Sequence, residues 1–275
     1  MRLALCNEVL APWPFARQCE WAAAVGYQGL ELAPFTLGEA AWRLPASERT
    51  ALRRAASDAG IRVSGLHWLL RQPEGLSITS PDAAVRARTL QVLRGLVDLC
   101  AELGGEVLVH GSPAQRRLTP GDAAGARERA AEVFAAVAEH AQAAGVTYCI
   151  EPLAPPEADF IHTLAEAATL VRAIDRPALR TMLDCCAAAR AEAEPVHGLL
   201  ARWLPSGLLA HVQVNDPNGR GPGQGALGFA DILRALRRHG YAGWLAVEPF
   251  DHHPDGPAAA ARAIGYLRGL LEALD

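Results

Sequence analysis

Two stretches decide the fold: TYCIEP (147–152) and WLAVEP (244–249). Each is a short apolar run that ends on a glutamate followed by proline, at Glu151 and at Glu248. The proline confines the residue before it to extended backbone, which leaves the carboxylate where strand gives way to loop. Between them lie TMLD (181–184), ending at Asp184, and LAHVQVND (209–216), which carries His211, Gln213 and Asp216. Four successive apolar strands thus bring carboxylates and a neutral donor to their C-terminal ends. In a barrel of parallel strands, active sites form at that end. Three carboxylates with an imidazole or an amide are a ligand set for a hard or borderline divalent cation.

The pattern extends along the whole chain. Eight short apolar runs occur: LALC (3–6), GLEL (29–32), VSGLH (63–67), EVLVH (106–110), TYCIE (147–151), TMLD (181–184), AHVQV (210–214) and LAVE (245–248). Amphipathic stretches rich in Ala, Leu, Arg and Glu separate them, most clearly at 82–103, 121–144, 163–174, 228–239 and 257–273. Gly26, Gly60, Gly104, Gly145 and Gly240 fall just before the next run, where a helix C-terminus needs them. Strand–helix alternation repeated eight times predicts an α/β fold, a (β/α)8 TIM barrel, as one domain over 1–275. No GxGxxG follows the first strand, which counts against a dinucleotide-binding sheet.

Composition narrows the chemistry. The chain of 275 residues carries a net charge of −4, which argues against a broad nucleic-acid surface. All its basic residues are arginine. Without lysine, Schiff-base catalysis and a Walker-type phosphate loop are excluded. The six cysteines form no CxxC pair and several sit in apolar runs. That usage, with no secretion signal and no apolar run long enough to span a bilayer, predicts a reduced cytoplasmic protein without a membrane partner.

Other residues stand near the strand ends. Glu157 follows Glu151 in the loop APPEADF, where it could bond a substrate hydroxyl or remain solvated. His67 and Trp68 end the third run and His110 the fourth, and both histidines could face a pocket. Trp68 and Phe250 could form an apolar wall. Arg71, Arg116 and Arg117 could hold an anionic substituent. The Gly/Pro-rich loop 216–225, with Asn218, Arg220 and Gln224, could cover a substrate. In the seventh strand, 211, 213 and 215 share one face. His211 lies deeper and Gln213 nearer the rim; either could be the fourth ligand.

The segments SGLHWLL (64–70), GLSITSPD (75–82), LCAELGGEVLVHGSPAQR (99–116), CIEPL (149–153), HVQVNDPNGRGPGQG (211–225) and VEPFD (247–251) carry a resemblance over essentially the whole chain. It resembles the xylose-isomerase-like TIM barrels of the sugar phosphate isomerase/epimerase family. Relatives there include ketose 3-epimerases, hydroxypyruvate isomerase, inosose dehydratase and, remotely, endonuclease IV. The resemblance places metal ligands on Glu151, Asp184, Gln213 and Glu248, with His211 beneath Gln213 as a supporting group. It places the family's second glutamate after the fifth strand on Glu157. In the epimerases the seventh-strand ligand is usually histidine; in hydroxypyruvate isomerase it is glutamine, as here. Two departures stand out: Ala187 replaces a histidine three residues after the aspartate, and Gly219, with Arg220 next to it, replaces a substrate-contacting arginine.

The resemblance implies one divalent ion, Mn²⁺ or Mg²⁺ ahead of Zn²⁺ or Co²⁺, and a small-molecule sugar or polyhydroxy carbonyl substrate. It implies an isomerase or epimerase that moves a proton next to a carbonyl through an enediolate, with Glu151 and Glu248 as acid/base groups. A dehydratase or lyase of the same compounds, an endonuclease IV-like nuclease and a non-catalytic sugar-binding barrel are the alternatives. A homo-oligomer is compatible with the sequence.

Overall fold

In the computed structural model, which describes residues 1–274, the eight runs are the eight strands of a closed parallel barrel in sequential order. They are β1 (Arg2–Cys6), β2 (Gly29–Leu32), β3 (Arg62–Leu66), β4 (Val107–His110), β5 (Thr147–Ile150), β6 (Leu179–Asp184), β7 (Leu209–Val214) and β8 (Trp244–Val247). The ring closes where β1 pairs with β8. Helices α1 (Phe15–Val25), α2 (Ala46–Asp58), α3 (Ala83–Glu102), α4 (Ala123–Ala144), α5 (Leu164–Ile174), α6 (Cys185–Ala191), α7 (Val196–Trp203), α8 (Phe229–Arg238) and α9 (Gly256–Ala273) pack outside.

Each strand alternates between two cores. Leu30, Leu66, Leu108, Tyr148, Ile150, Val212, Val214, Leu245 and Val247 pack outward with helix residues such as Phe134 and Leu233. Val109, Cys149 and Met182 form a separate cluster inside the barrel. The strand period of two assigns every residue to one side. Two irregularities, between Leu30 and Glu31 and between Thr181 and Met182, shift the register locally. Close strand packing leaves no room at Gly65, where a Cβ would lie 2.2 Å from the Val107 carbonyl oxygen.

The N-terminal mouth is closed. Trp244 is buried there under the Arg2 guanidinium, 4.2 Å from its ring. Glu106 binds Arg2 through two hydrogen bonds and Arg62 through a third. The C-terminal mouth, by contrast, gathers buried polar groups. All six cysteines are free and buried. Among the described residues, no helix is long and apolar enough to cross a membrane.

Candidate active site at the C-terminal mouth

Register sets the site. Asp184 pairs with Gln213, and Val214 with Val247, so Glu248 stands one step above Gln213. All four expected ligands are buried: Glu151 is 7% exposed, Asp184 4%, Gln213 0% and Glu248 2%. Above them a cavity of about 280 Å³ is lined by Glu151, Glu157, Asp184, Ala187, Arg190 and Phe250, among others.

Each ligand candidate is oriented differently. Asp184 caps α6, accepting from the Ala187 N–H at 2.7 Å, and its other oxygen accepts from Asn215 Nδ2 at 2.7 Å. Asn215 also donates to the Glu248 carbonyl at 3.1 Å and accepts the Cys186 N–H. It therefore ties β6, β7 and β8 together at the rim. Gln213 donates through Nε2 to Glu31 Oε1 at 2.8 Å, across the barrel from β2. Its Oε1 is buried and has no hydrogen-bond partner. One layer lower, level with Met182, His211 Nε2 lies 2.8 Å from Glu31 Oε2. The two form a buried charge pair across the barrel interior. Burial pushes the Glu31 carboxyl up, yet the adjacent His211 and the Gln213 amide more than offset this and hold it below the usual range.

Glu248 and Glu151 differ sharply. Glu248 Oε1 meets His67 Nδ1 at 2.9 Å, and His67 Nε2 meets Glu8 Oε2 at 3.0 Å. Burial disfavours the His67 imidazolium, but Cys6, Glu8 and the bond to Glu248 outweigh it and raise its pKa. Burial also pushes Glu248 up to about 8 against the lowering effect of His67. Among the described residues the Glu151 carboxylate has no such partner; its backbone oxygen is held by the buried Arg116 at 2.7 Å. Burial, then Glu248 and Asp184, raise its pKa well above the carboxylate range. Asp184 is raised to about 6, again by burial, opposed by its two hydrogen-bond donors.

Three buried carboxyls with raised proton affinity are a site short of positive charge. A divalent cation would supply it. The donor set fits one: carboxylates from three strands and a buried, unpartnered amide oxygen, all hard oxygen ligands. A different group of ligand atoms, from Cys6, Glu8, His67 and Glu248, lies within 4.8 Å of one another. His67, however, already spends both its ring nitrogens on the two glutamates.

The structure brings some of the residues singled out in the sequence together and turns others away. Trp68 and Phe250 come together over the mouth, ring centroids 6.5 Å apart. His110 does not face the pocket. Its neighbour Val109 takes the barrel interior, so period two turns His110 outward, against Phe134 at 5.0 Å and with Tyr148 Oη 2.6 Å from Nδ1. Burial, then Arg116, lower its pKa to about 3. Glu157 is engaged by Arg190 at 3.0 Å. Arg190 stands three residues after Ala187 on the same face of α6, and both line the cavity. Arg220 binds Asp251 at 2.9 Å, and the Asn218 side chain bonds within its own loop. That loop is thus internally braced, and Arg220 is turned to Asp251.

Sequence reasoning missed Glu8, Glu31, Asn215 and Arg190. Glu31 had a local signal, a charge at an inward position of the apolar run GLEL. Asn215 shared the face already assigned to His211 and Gln213. Glu8 and Arg190 had none, because their partners are remote in sequence.

Residues 19–270 match the family model described as xylose isomerase-like TIM barrel, and the chain belongs to that family. A stretch of 239 residues is 26% identical to the D-psicose 3-epimerase of Agrobacterium fabrum, covering 86% of this chain and 79% of that one. The putative hydroxypyruvate isomerase of Streptomyces coelicolor is 29% identical over 236 residues, 80% of this chain and 79% of the other. Among solved structures, D-psicose 3-epimerase crystallised in the presence of D-fructose superposes with a TM-score of 0.82 at 22% identity, covering 98% and 99% of the two chains. L-ribulose 3-epimerase gives 0.83 at 23% identity, covering 99% and 95%. At that identity the solved structures bear on the fold alone. The relatives with named activities are sugar 3-epimerases and isomerases.

Proposed function

We propose that the chain is a divalent-metal-dependent isomerase or epimerase of a ketose or related polyhydroxy carbonyl compound. The observation that carries the reading is the pair of buried glutamates, Glu151 and Glu248, both with raised proton affinity, on strands three apart around one mouth. Burial raises the proton affinity of both, which suits groups that hold and return a proton. Glu151, Asp184, Gln213 and Glu248 would hold the ion, which when bound supplies a Lewis acid for the substrate's carbonyl and neighbouring hydroxyl oxygens. Oxygen donors favour Mn²⁺ or Mg²⁺ over softer choices.

The chain's own residues supply the rest. One glutamate takes the proton from the carbon beside the carbonyl, and the C–H electron pair passes into an enediolate. The other glutamate returns a proton to that carbon from the opposite face, which inverts it; return to the neighbouring carbon instead gives the isomer. His67 fixes the direction of Glu248, and Asn215 holds Asp184 against the β8 backbone. Trp68 and Phe250 shield the mouth from water. His110 faces outward and His67 is engaged on both sides, which leaves neither to complete a polynuclear nuclease centre.

Incubation with ketoses, their phosphates and hydroxypyruvate in D₂O tests the reading by NMR. Solvent deuterium should enter at the carbon next to the carbonyl in the metal-loaded protein and not after chelation. No incorporation with any member would sink it, as would net loss of water instead of a reversible mixture.

A further inference from the structure

A second cavity of about 350 Å³ opens beside the first, lined by Trp68, Arg71, Gly111, Ser112 and Gln115 among others. It touches the carboxylate site at two points. Gly111 packs so closely on Glu151 that a Cβ there would lie 1.8 Å from Oε2. Trp68, which lines this second cavity, stacks near Phe250, which lines the first. The two chambers therefore flank one reacting centre.

The second chamber carries a prepared cation. Trp68 adopts a φ of 51°, a left-handed conformation that an aromatic residue seldom takes and that recurs at ligand sites. It heads a turn closed by the Arg71 N–H donating to the Trp68 carbonyl. The turn sets the exposed Arg71 guanidinium 4.3 Å from the Phe35 ring centroid and 5.0 Å from that of Trp68. Stacking on two rings restrains a side chain that would otherwise swing in solvent. Among the described residues, Arg71 forms no ion pair with a carboxylate. Of the other two arginines that follow these strands, Arg116 is fully buried with Nη1 on the Glu151 carbonyl, and does not line this chamber, and Arg117 is on Asp159. The buried Ser112 hydroxyl accepts from the Leu70 N–H at 3.0 Å and keeps its own hydrogen to donate.

We propose that this chamber receives an anionic group, carboxylate or phosphate, at the end of the substrate remote from its carbonyl, and that Arg71 is its partner. The inference rests on the sugar-isomerase reading of the mouth. The first chamber offers such a group no free guanidinium, because its one cation, Arg190, is already paired with Glu157. The second offers a guanidinium fork, which matches carboxylate and phosphate geometry, and an aromatic wall for the sugar's C–H face.

The test measures binding to the metal-loaded full chain by calorimetry, using a ketohexose, its 6-phosphate and its 6-carboxylate. The charged members should bind about ten- to a hundred-fold more tightly than the neutral parent, the usual range for a charge-assisted hydrogen-bond partner. Comparison of phosphate with carboxylate identifies which anion the chamber takes. Arg71→Gln should abolish the preference, bringing the charged members to the neutral sugar's affinity in the same variant, and Arg71→Lys should keep part of it. Equal binding of all three sugars, a preference that survives Arg71→Gln, or no binding of either anion overturns the inference. Deuterium exchange on neutral ketoses without any anion preference would remove this inference alone. Anion preference without exchange on any sugar would remove the proposed reaction and leave the chamber.

Discussion

Glu151 and Glu248 end two strands with nearly the same sequence, IEP and VEP, yet the fold treats them as opposites. Glu248 is clamped. His67 holds its carboxylate at 2.9 Å, and Glu8 holds His67 at 3.0 Å from behind. Glu151 has its backbone carbonyl fixed by Arg116, but among the described residues no donor reaches its carboxylate. It is confined by packing instead, against Gly111. One glutamate is directed by hydrogen bonds, the other by shape. Two carboxylates with one local sequence can thus take different roles, because their neighbours come from different strands.

The largest expected effect comes from removing either charge. Glu248→Gln and Glu151→Gln should each lower interconversion by about 10²–10⁴-fold, the range for a positioned acid/base group. They should differ in D₂O: Glu248→Gln should keep partial exchange through Glu151. If both variants retain full interconversion, neither glutamate is the acid/base.

Next in size is the seventh strand. Gln213→Ala should weaken metal binding more than His211→Ala, because the unpartnered Gln213 Oε1 lies level with Asp184 and His211 lies one layer lower, beside Glu31. Metal titration by calorimetry decides it, and the reverse order would exchange the two roles.

The clamp and the packing contact should separate by mutation. His67→Ala should cost about 10–100-fold in metal affinity or exchange rate, as loss of a group that orients a metal ligand does. Glu8→Gln should cost less, since His67 keeps its bond to Glu248. Gly111→Ala should instead act through Glu151, with metal affinity falling about ten-fold or more while far-ultraviolet dichroism stays native. Equal losses for Glu8→Gln and His67→Ala would mean that Glu8 matters for more than support.

The smallest effect is on stability. Glu248 at about 8 and Asp184 at about 6 both lie above their unfolded values, so the metal-free folded state holds protons more tightly than the unfolded chain. Their contribution is complete below the unfolded values, near pH 4. It is lost as pH rises through about 6 for Asp184 and about 8 for Glu248. The raised His67 acts with the same sign. Metal-free protein should therefore melt lower at pH 8 than at pH 6, by about 2–4 °C for each kcal/mol lost. An ion competes with those protons, so the stabilisation by added Mn²⁺ should grow over the same interval. Scanning fluorimetry at the two pH values checks both trends. A gap that does not widen would show that these carboxyls are not the ion's ligands.

Local pattern alone determined much of this protein. Period two in eight apolar runs and helical stretches closed by glycine specify strands and helices through interactions within a few residues, so the eight strands and their order were legible from end to end. The strand-end carboxylates were legible too, because a charge at the end of an apolar run is costly without a partner. The tertiary structure decided which partner each one has. His67 meets Glu248 across 181 residues of sequence, and Gln213 meets Glu31 across 182. Those pairs depend on barrel closure and on register shifts near Glu31 and Met182, which no local preference encodes. Barrel closure also brought Arg116 to the Glu151 backbone carbonyl, and among the described residues Arg71 forms no ion pair with a carboxylate. Strand identity is written in neighbours along the chain, whereas the chemistry of the mouth is written in neighbours across the barrel.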